Sequence, residues 1–308
     1  MAICSQAHGF RTCIIDANAS DIQTTGNFDG RSYALSHSSV RMLNTLELWN
    51  DLKQTAQPIL SIKISDGGVA EIPSPYLLHF DHHDLEEGPM GHMVEDRHLR
   101  PLLQERLKHH DQTIYLDQTQ VIGQDTGPAS IELSLNGAQA TVKAKLVVTA
   151  DGRRSAFAAK AGIAYTGWDY AQTSLVCALR HEKPNDGIAY QHFMPTGPLA
   201  ILPLTKNRVS IVWTETTENA KTILSLDDKS YLDVLRLRFG DFLGDIAMAG
   251  NRFAFPLELS IAQSLIADRL ALVGDSAHGM HPIAGQGLNA GLRDIAALIQ
   301  VIHEAKQR

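Results

Sequence analysis

The residues best suited to chemistry stand close together near the end of the sequence, in the segment 269–294. A short apolar run there ends at Gly274 and Asp275, and a glycine-rich loop then opens a helix. A carboxylate at the carboxyl end of a strand suits a ligand hydroxyl of the kind that ribityl or ribose groups carry. The Gly-Gln-Gly of residues 285–287 opens the helix, where free backbone N–H groups face an anion. The segment therefore predicts a site for a ligand that carries hydroxyl groups and negative charge.

The alternative is a simple loop-to-helix junction in which the glycines serve only as turn and cap. Three short motifs argue against this alternative, because Gly-Asp, His-Pro and Gly-Gln-Gly occur in this order within one short segment. Their combination favours the binding site.

Two weaker candidates lie upstream of this segment. Asp151 and Gly152 follow the apolar run LVV, and Arg31 follows an earlier Asp-Gly pair. An Asp-Gly turn between a strand and a helix is usually only a turn, with Ser155 then serving as the helix cap. An arginine such as Arg31 is commonly a surface residue, although a planar and permanently charged donor also suits phosphate. From these residues alone both interpretations stay open.

The elements that must position these residues follow from hydrophobic periodicity. The apolar spacing predicts a strand over 11–15 that ends at Asp16, and helices over 38–53, 96–108, 227–239 and 286–305. Extended runs separated by Pro, Gly and Asn predict a more antiparallel sheet between 168 and 216. Further strands are predicted near 59–65, 113–116, 130–134 and 140–148, and at RLALV before Gly274. The chain is therefore predicted to be an α/β protein with an additional α+β unit.

Composition limits the classes of function. The formal net charge is -7 and no Lys/Arg-rich run occurs, so nucleic acid is not an expected partner. Three cysteines without paired spacing predict neither a disulfide framework nor a metal site. His79, His82 and His83 lie in a polar, acidic stretch and are expected to be solvated, so no metal is predicted. The absence of an export signal and of a long apolar run predicts a cytoplasmic protein, with peripheral membrane contact as an additional expectation.

The segment 269–294 resembles the GD motif of the FAD-dependent hydroxylases related to p-hydroxybenzoate hydroxylase. The resemblance implies a Rossmann-like domain that binds FAD and NAD(P), with Asp275 holding the ribityl chain and the following loop covering the isoalloxazine ring. It also implies catalytic roles near the flavin for His281, Pro282 and Gln286. The cofactor-binding residues that it implies in this segment are Gly274, Asp275, Gly285, Gln286, Gly287, Leu288 and Asn289.

Three further motifs match the same family. Asp151-Gly152 resembles its DG motif, which lies near the FAD pyrophosphate and helps to hold the reduced nicotinamide cofactor. The segment beginning Asp29-Gly30-Arg31 looks like its arginine loop, so Arg31 is expected to contact phosphates. Asp16 takes the place of the acidic residue that holds the adenosine ribose, and Asp96 occupies a position from which a side chain can reach the ribityl chain.

The middle of the chain narrows the resemblance to ubiquinone biosynthesis. The runs WDYAQTSLVCALRHE, FMPTGPLAILPL and SIVWT resemble the substrate-domain sheet of the polyprenylphenol hydroxylases. The implied reaction is hydroxylation of a polyprenylated phenol with NAD(P)H and O2. Other ubiquinone-biosynthesis proteins are implied as partners. Core packing alone would explain most of the apolar residues of this sheet. Those that are also available to line a pocket are Phe193, Leu199, Ile201, Leu202 and Trp213.

The resemblance also implies a division into units and a length. The FAD-binding domain is expected to comprise 1–72, 94–168 and 250–308, and the substrate domain 73–93 and 169–249. Compared with the family, the first strand with its glycine loop and the elements after Arg308 are expected to be missing. Such a fragment is expected to bind FAD poorly. The alternative function is therefore a non-catalytic homologue within a ubiquinone-synthesis complex.

Overall fold

The computed structural model describes residues 1–19, 28–68, 77–108, 111–137 and 141–308. Within these ranges the helices are Ala2–Ala7 (α1), His37–Thr45 (α2), Trp49–Leu52 (α3), Asp96–Lys108 (α4), Ala156–Lys160 (α5), Thr217–Leu224 (α6), Asp228–Phe239 (α7) and Gln286–Gln307 (α8). The strands of the first half are Thr12–Ile15 (β1), Ser32–Ser36 (β2), Gln57–Ile59 (β3), Ser61–Asp66 (β4), Leu78–Asp81 (β5), Gly91–Glu95 (β6), Thr113–Leu116 (β7), Val121–Thr126 (β8), Ile131–Leu135 (β9), Thr141–Ala144 (β10) and Val147–Thr149 (β11). Those of the second half are Tyr165–His181 (β12), Ile188–Met194 (β13), Gly197–Leu204 (β14), Arg208–Thr216 (β15), Ile246–Met248 (β16), Phe253–Ala262 (β17), Ile266–Ala267 (β18), Leu270–Leu272 (β19) and His278–Gly279 (β20).

A nine-stranded, largely antiparallel sheet is the main feature of the second half. Its strands follow the order β20-β17-β12-β15-β14-β13-β4-β5, and β16 also pairs with β12. Alternate residues of β12, β14 and β15 bury one face of this sheet against α6 and α7. Trp213 and Tyr231 are the largest side chains of this core, and both are fully buried. The antiparallel sheet predicted from the extended runs is therefore confirmed.

The parallel part of the fold carries the Gly-Asp and Asp-Gly turns. β11 and β19 form a parallel ladder whose apolar side chains pack with Ile131 and Ala158 in a separate core. β1 and β7 form a second parallel ladder. Because the carboxyl ends of parallel strands lie at one edge of a sheet, the turns after β11 and β19 come out side by side. The predicted combination of a Rossmann-like α/β unit and an antiparallel sheet describes this architecture.

Local details differ from the sequence predictions at three places. The strand predicted near 140–148 is two strands, since β10 pairs with β9 whereas β11 pairs with β19. The helix predicted over 38–53 is wrong as one element, because Glu47 adopts a left-handed backbone (φ 57°) that separates α2 from α3. The strand predicted over 59–65 is two strands, since β3 pairs with β6 whereas β4 joins β13 in the large sheet.

The domain boundaries proposed from the sequence stay a prediction. β4 lies within the predicted FAD-binding range 1–72 but is hydrogen-bonded into the large sheet. β12 runs without a break in the chain across the boundary predicted at 168. The boundary at 72 falls among residues 69–76, which lie outside the described ranges.

Candidate active site

The Gly-Asp turn is built by β19 and fixed to the neighbouring strand. Gly274 has a left-handed backbone (φ 63°), which a glycine adopts without strain. Ser276 is fully buried, and its hydroxyl donates to the carbonyl of Thr149 at 2.7 Å. Asp275 between them is exposed and has no hydrogen-bond partner among the described residues. The turn thus presents a free carboxylate on a rigid support, as a ligand hydroxyl requires.

Helix α8 holds this turn from the other side. Asp294 accepts a hydrogen bond from the N–H of Gly274 at 2.8 Å, and its Oδ2 lies 2.7 Å from the Nε2 of His278. A Cβ added at Gly291 would meet the Cα of Gly274 at 3.1 Å, so the helix and the turn touch backbone to backbone. The spacing of Gly274, Gly291 and Asp294 therefore sets the distance between the turn and the helix.

The first turn of α8 faces open space. The helix begins at Gln286 after Ala284 and Gly285, which both have left-handed backbones, and no side chain caps it. The first N–H groups of a helix have no partner within it and carry the positive end of its dipole. A Cβ added at Gly287 would meet nothing within 4 Å. The amides of this turn, with the carboxylate of Asp275, therefore fit a flavin with a ribityl chain and an electron-rich ring edge.

Asn289 connects the loop before α8 to β2 and α2, which follow Arg31 in the chain. Its side chain is buried, and its amide donates to the carbonyls of Ala34 at 2.8 Å and Gly285 at 3.1 Å. Its Oδ1 accepts from the backbone of Ser36 at 2.9 Å and the hydroxyl of Ser39 at 2.7 Å. All of these bonds are internal, so only the backbone of Asn289 is left for a cofactor. The side chain of Asn289 therefore positions the loop before α8 against β2 and α2. Contact of Asn289 with a cofactor stays a prediction.

Arg31 and Asp96, which the sequence placed at the cofactor separately, lie together. An NH2 group of Arg31 lies 2.7 Å from Asp29 and 3.3 Å from Asp96. Burial opposes ionisation of Asp29, but the hydrogen bonds from Arg31 outweigh it and hold the pKa of this carboxyl below its usual value. Asp96 is buried and also accepts from the hydroxyl of Tyr33 at 2.7 Å. Burial, and then this bond to Asp96, raise the pKa of Tyr33 to about 12.

This cluster leaves Arg31 as the member that can meet a ligand. The Arg31 side chain is 40% exposed, whereas Asp96 is only 6% exposed and already has three partners, the third being Arg100 at 3.3 Å. A buried carboxylate with this many donors is a structural anchor. Asp96 thus orients Arg31, and its direct contact with a ribityl chain stays a prediction.

The other two predicted acidic residues lie at strand ends. Asp151 follows β11 and accepts from the hydroxyl of Ser155 at 2.9 Å, and Ser155 also caps α5. Gly152 has φ 84°, and a side chain there would meet nothing within 4 Å. Asp151 and Asp275 thus mark the ends of adjacent parallel strands. Asp16 ends β1 in the other parallel ladder and accepts from the N–H of Asn18 at 2.9 Å.

The predicted catalytic residues form one stretch against the large sheet. The ring of His281 meets the ring of Tyr170 edge to face, with centroids 5.4 Å apart. Burial lowers the pKa of His281 below its usual value. Pro282 follows at the start of the turn that leads into α8, and the Gln286 side chain donates to the carbonyl of Ala284 at 3.2 Å. The structure thus places these residues between the large sheet and the first turn of α8.

The apolar residues proposed for a pocket separate into two sets. Leu199, Ile201 and Trp213 are buried in the core under α6 and α7, so a pocket role for them is wrong. Leu202 packs with a second core. Phe193 lies on the opposite face, in the row that crosses the sheet through Pro198 to Phe255. On that face the ring of Phe255 is exposed, whereas Ser174 and Thr214 in the same row are buried, so the face is open at Phe255 and not along the whole row.

The three histidines of the acidic stretch gather around Asp81. His83 Nδ1 lies 2.6 Å from the carboxylate of Asp81, and His82 and His79 lie at 3.3 and 3.8 Å. His82 also contacts the carbonyl of Leu60, and His79 the hydroxyl of Ser61. These contacts tie β5 and the turn that follows it to Leu60 and Ser61 at the start of β4.

Two residues of the site were not singled out from the sequence. Asp294 lies on α8, twenty positions from its partner Gly274, and its only signal was an acidic residue on an apolar helix. Tyr170 carried no signal, because nothing in its neighbours shows how the strand would be bent there.

Among the described residues, no helix is long and apolar enough to cross a bilayer.

Comparison with known proteins identifies the family. A family model described as FAD binding domain matches residues 2–307. Ubiquinone hydroxylase UbiL of Rhodospirillum rubrum is 40% identical over 97% of this chain and 68% of its own length. The 3-demethoxyubiquinol 3-hydroxylase of Escherichia coli is 31% identical over 97% of this chain and 75% of its own length.

A solved structure shows the same fold. PqsL of Pseudomonas aeruginosa, described as a probable FAD-dependent monooxygenase, superposes with a TM-score of 0.78 over 99% of this chain and 83% of its own, at 17% identity. The chain therefore belongs to the FAD-binding domain family, and ubiquinone hydroxylases are among its relatives.

Proposed function

We propose that this protein is an FAD-dependent monooxygenase that hydroxylates a polyprenylated phenol in ubiquinone biosynthesis, with NAD(P)H as reductant. The observation that carries the proposal is the free carboxylate of Asp275 on a turn that packs against α8, together with the open space at Gly287 in the first turn of that helix. The 40% identity to a ubiquinone hydroxylase over 97% of the chain supports the substrate class. The net reaction consumes the phenol, O2, NAD(P)H and a proton, and yields the hydroxylated phenol, water and NAD(P)+.

Each residue of the site has a physical task in this function. When bound, FAD supplies the two-electron redox chemistry and O2 activation that oxygen transfer requires. Asp275 accepts hydrogen bonds from ribityl hydroxyls, and the amides of Gln286 and Gly287 stabilise negative charge at the edge of the ring. Such placement at a helix N-terminus contributes about 0.3–2 kcal/mol. The predicted residues Gly274, Gly285 and Leu288 shape the same cradle through their backbones.

Further binding roles are proposed for the surrounding loops. Asp16 is proposed to hold the adenosine ribose, because it ends a parallel strand and keeps a carboxylate there. Asp151 and Gly152 are proposed to lie near the pyrophosphate and the nicotinamide, where the space beside Gly152 admits a ligand. Arg31, half-exposed and oriented by Asp29 and Asp96, is proposed to contact phosphate.

The substrate ring is proposed to lie between the His281-Pro282 loop and the sheet face that carries Phe255. This arrangement excludes water from the reacting atoms, which prevents loss of the activated oxygen as hydrogen peroxide. The polyprenyl tail is expected to extend along the apolar face, and contact with a membrane surface or with other ubiquinone-biosynthesis proteins would deliver such a substrate.

The test is oxygen transfer from labelled O2. Purified protein supplied with FAD, NADH or NADPH, a short-chain 2-prenylphenol and 18O2 is expected to yield a product that contains one 18O atom. Omission of FAD or of the nicotinamide should abolish the product. If the protein retains no flavin and forms no product in any combination, the non-catalytic alternative replaces the proposal.

A further inference from the structure

The long strand β12 contains a bulge at its centre. Its pairing with β17 is regular up to Asp169 and resumes at Gln172, so Tyr170 and Ala171 stand outside the ladder. Ala171 has a left-handed backbone (φ 55°), and its N–H donates to the Asp169 side chain at 2.7 Å. A left-handed backbone at a residue other than glycine costs roughly 1–2 kcal/mol. Bulges of this kind re-aim a side chain and are common beside active sites.

The re-aimed side chain is that of Tyr170. Its half-buried ring meets the ring of His281 edge to face at 5.4 Å, with an interplanar angle of 80°. On its other side Trp168 lies 6.1 Å away. Within the described ranges, no hydrogen bond is made by the Tyr170 hydroxyl. Tyr170 therefore contacts His281 through its aromatic ring and not through its hydroxyl. This packing favours one orientation of the imidazole.

The two nitrogens of His281 differ in their surroundings. Nδ1 is buried and has no hydrogen-bond partner among the described residues, whereas Nε2 also lacks such a partner but is not fully buried. Burial keeps the imidazole neutral near pH 7, so it carries one proton. A buried N–H without an acceptor is rarer in proteins than a buried acceptor without a donor, which favours the proton on Nε2. Nε2–H is thus a donor that has no acceptor among the described residues.

We infer that His281, through Nε2–H, donates a hydrogen bond to the phenolic oxygen of the substrate, and that Tyr170 is the positioning residue that holds the imidazole for this contact. The inference deepens the proposed function and rests on it. A donor fixed next to Pro282 orients the ring hydroxyl, and the orientation of the hydroxyl determines which ring carbon faces the cofactor. The bulge in β12 is thereby given a role in substrate positioning.

The experiment compares five variants and one control variant for phenol binding and for use of NAD(P)H. Binding of a short-chain 2-prenylphenol is measured by calorimetry on the FAD-loaded protein, and hydroxylated product is measured per NAD(P)H consumed. H281A is expected to weaken phenol binding about two- to tenfold, the effect of one lost hydrogen bond, and to lower the product ratio. H281Q, whose amide N–H replaces Nε2–H, is expected to recover most of both.

The Tyr170 variants separate positioning from general structure. Y170F keeps the ring and should resemble the wild type, whereas Y170L, which removes the aromatic edge, should resemble H281A. In the double variant Y170L/H281A, the Y170L change should have no further effect on phenol affinity, because it acts through His281. Phe80 is a matched control, since F80A removes an exposed aromatic ring from the edge strand β5.

A third readout does not depend on turnover. In protein labelled with 15N-histidine, the two ring nitrogen signals of His281 are assigned by their absence from the NMR spectrum of H281Q. Addition of the phenol should shift this pair of signals. The inference is overturned if H281A binds the phenol as tightly as the wild type, or if Y170L weakens binding equally in the presence and absence of His281. Failure of the wild type to retain FAD or to oxidise NAD(P)H would contradict the proposed function instead.

Discussion

The Oδ2 of Asp294 lies 2.7 Å from the Nε2 of His278 and 2.8 Å from the N–H of Gly274. One carboxylate on α8 therefore holds both ends of the Gly-Asp turn. Since Asp275 lies between these two ends, its direction depends on Asp294. The relationship explains how a turn with an exposed carboxylate can be rigid enough to bind a cofactor.

Replacement of Asp294 by alanine is expected to weaken FAD binding about tenfold or more. The substitution removes two hydrogen bonds to a charged acceptor, each worth roughly 1.5–3 kcal/mol, and part of this loss appears as misplacement of Asp275. Quenching of flavin fluorescence on titration measures the affinity. Q300A, which changes an exposed polar residue of the same helix, is the control. Equal affinity in D294A and the wild type would mean that the turn holds its shape without this anchor.

A buried ion pair lies on the face of the large sheet that packs against α6 and α7. Glu215 is fully buried, lies 3.1 Å from Arg238 and accepts from the indole N–H of Trp213 at 3.1 Å. E215A is expected to lower the free energy of unfolding by about 3–5 kcal/mol, because it leaves the Arg238 charge unpaired in the core. Urea denaturation measures the change. D233A, at an exposed acidic position of α7, the helix that carries Arg238, should stay within about 0.5 kcal/mol. A loss below about 1 kcal/mol in E215A would contradict the expectation.

Stability is expected to fall on acidification through His92. Burial, and then the neighbouring His37, lower the pKa of His92 in the folded protein. The unfolded chain therefore binds a proton at higher pH than the folded protein, so the free energy of unfolding falls as the pH drops below about 6.5. H92F keeps the ring against Trp49 but cannot be protonated. Denaturation series from pH 7.5 to 5 should give a flatter pH dependence for H92F. Parallel curves would exclude His92 as a contributor.

Local sequence patterns were sufficient for the core of the site. The periodicity of Leu288, Leu292 and Ile299 located α8, and the residues before it located the turn at Asp275. Both signals lie within a few residues of what they predict, so no tertiary information was needed. Asp16 and Asp151 could be placed in the same way, because each directly follows a short apolar run.

Other features depend on contacts far apart in the sequence. The pairing of β4 with β13 joins residues more than a hundred positions apart, which no local pattern indicates. The bulge at Tyr170 contains no glycine that would mark it, since Ala171 takes the left-handed backbone. For Trp213 and Leu199 the sequence left pocket lining and core packing both open, because apolar residues look alike in sequence. Only the packing of α6 and α7 shows that they face the core.

The account depends on a flavin lying against the first turn of α8, and Gly287 offers the most direct test. Outside the adjacent helix backbone, a Cβ at this position would meet no described atom within 4 Å, so G287V should fold and unfold as the wild type does to within about 1 kcal/mol. The same side chain would occupy the space assigned to the flavin ring. Titration of both proteins with FAD is therefore predicted to show at least tenfold weaker binding in G287V at nearly equal thermal stability. Unchanged FAD affinity in a folded G287V would contradict the account.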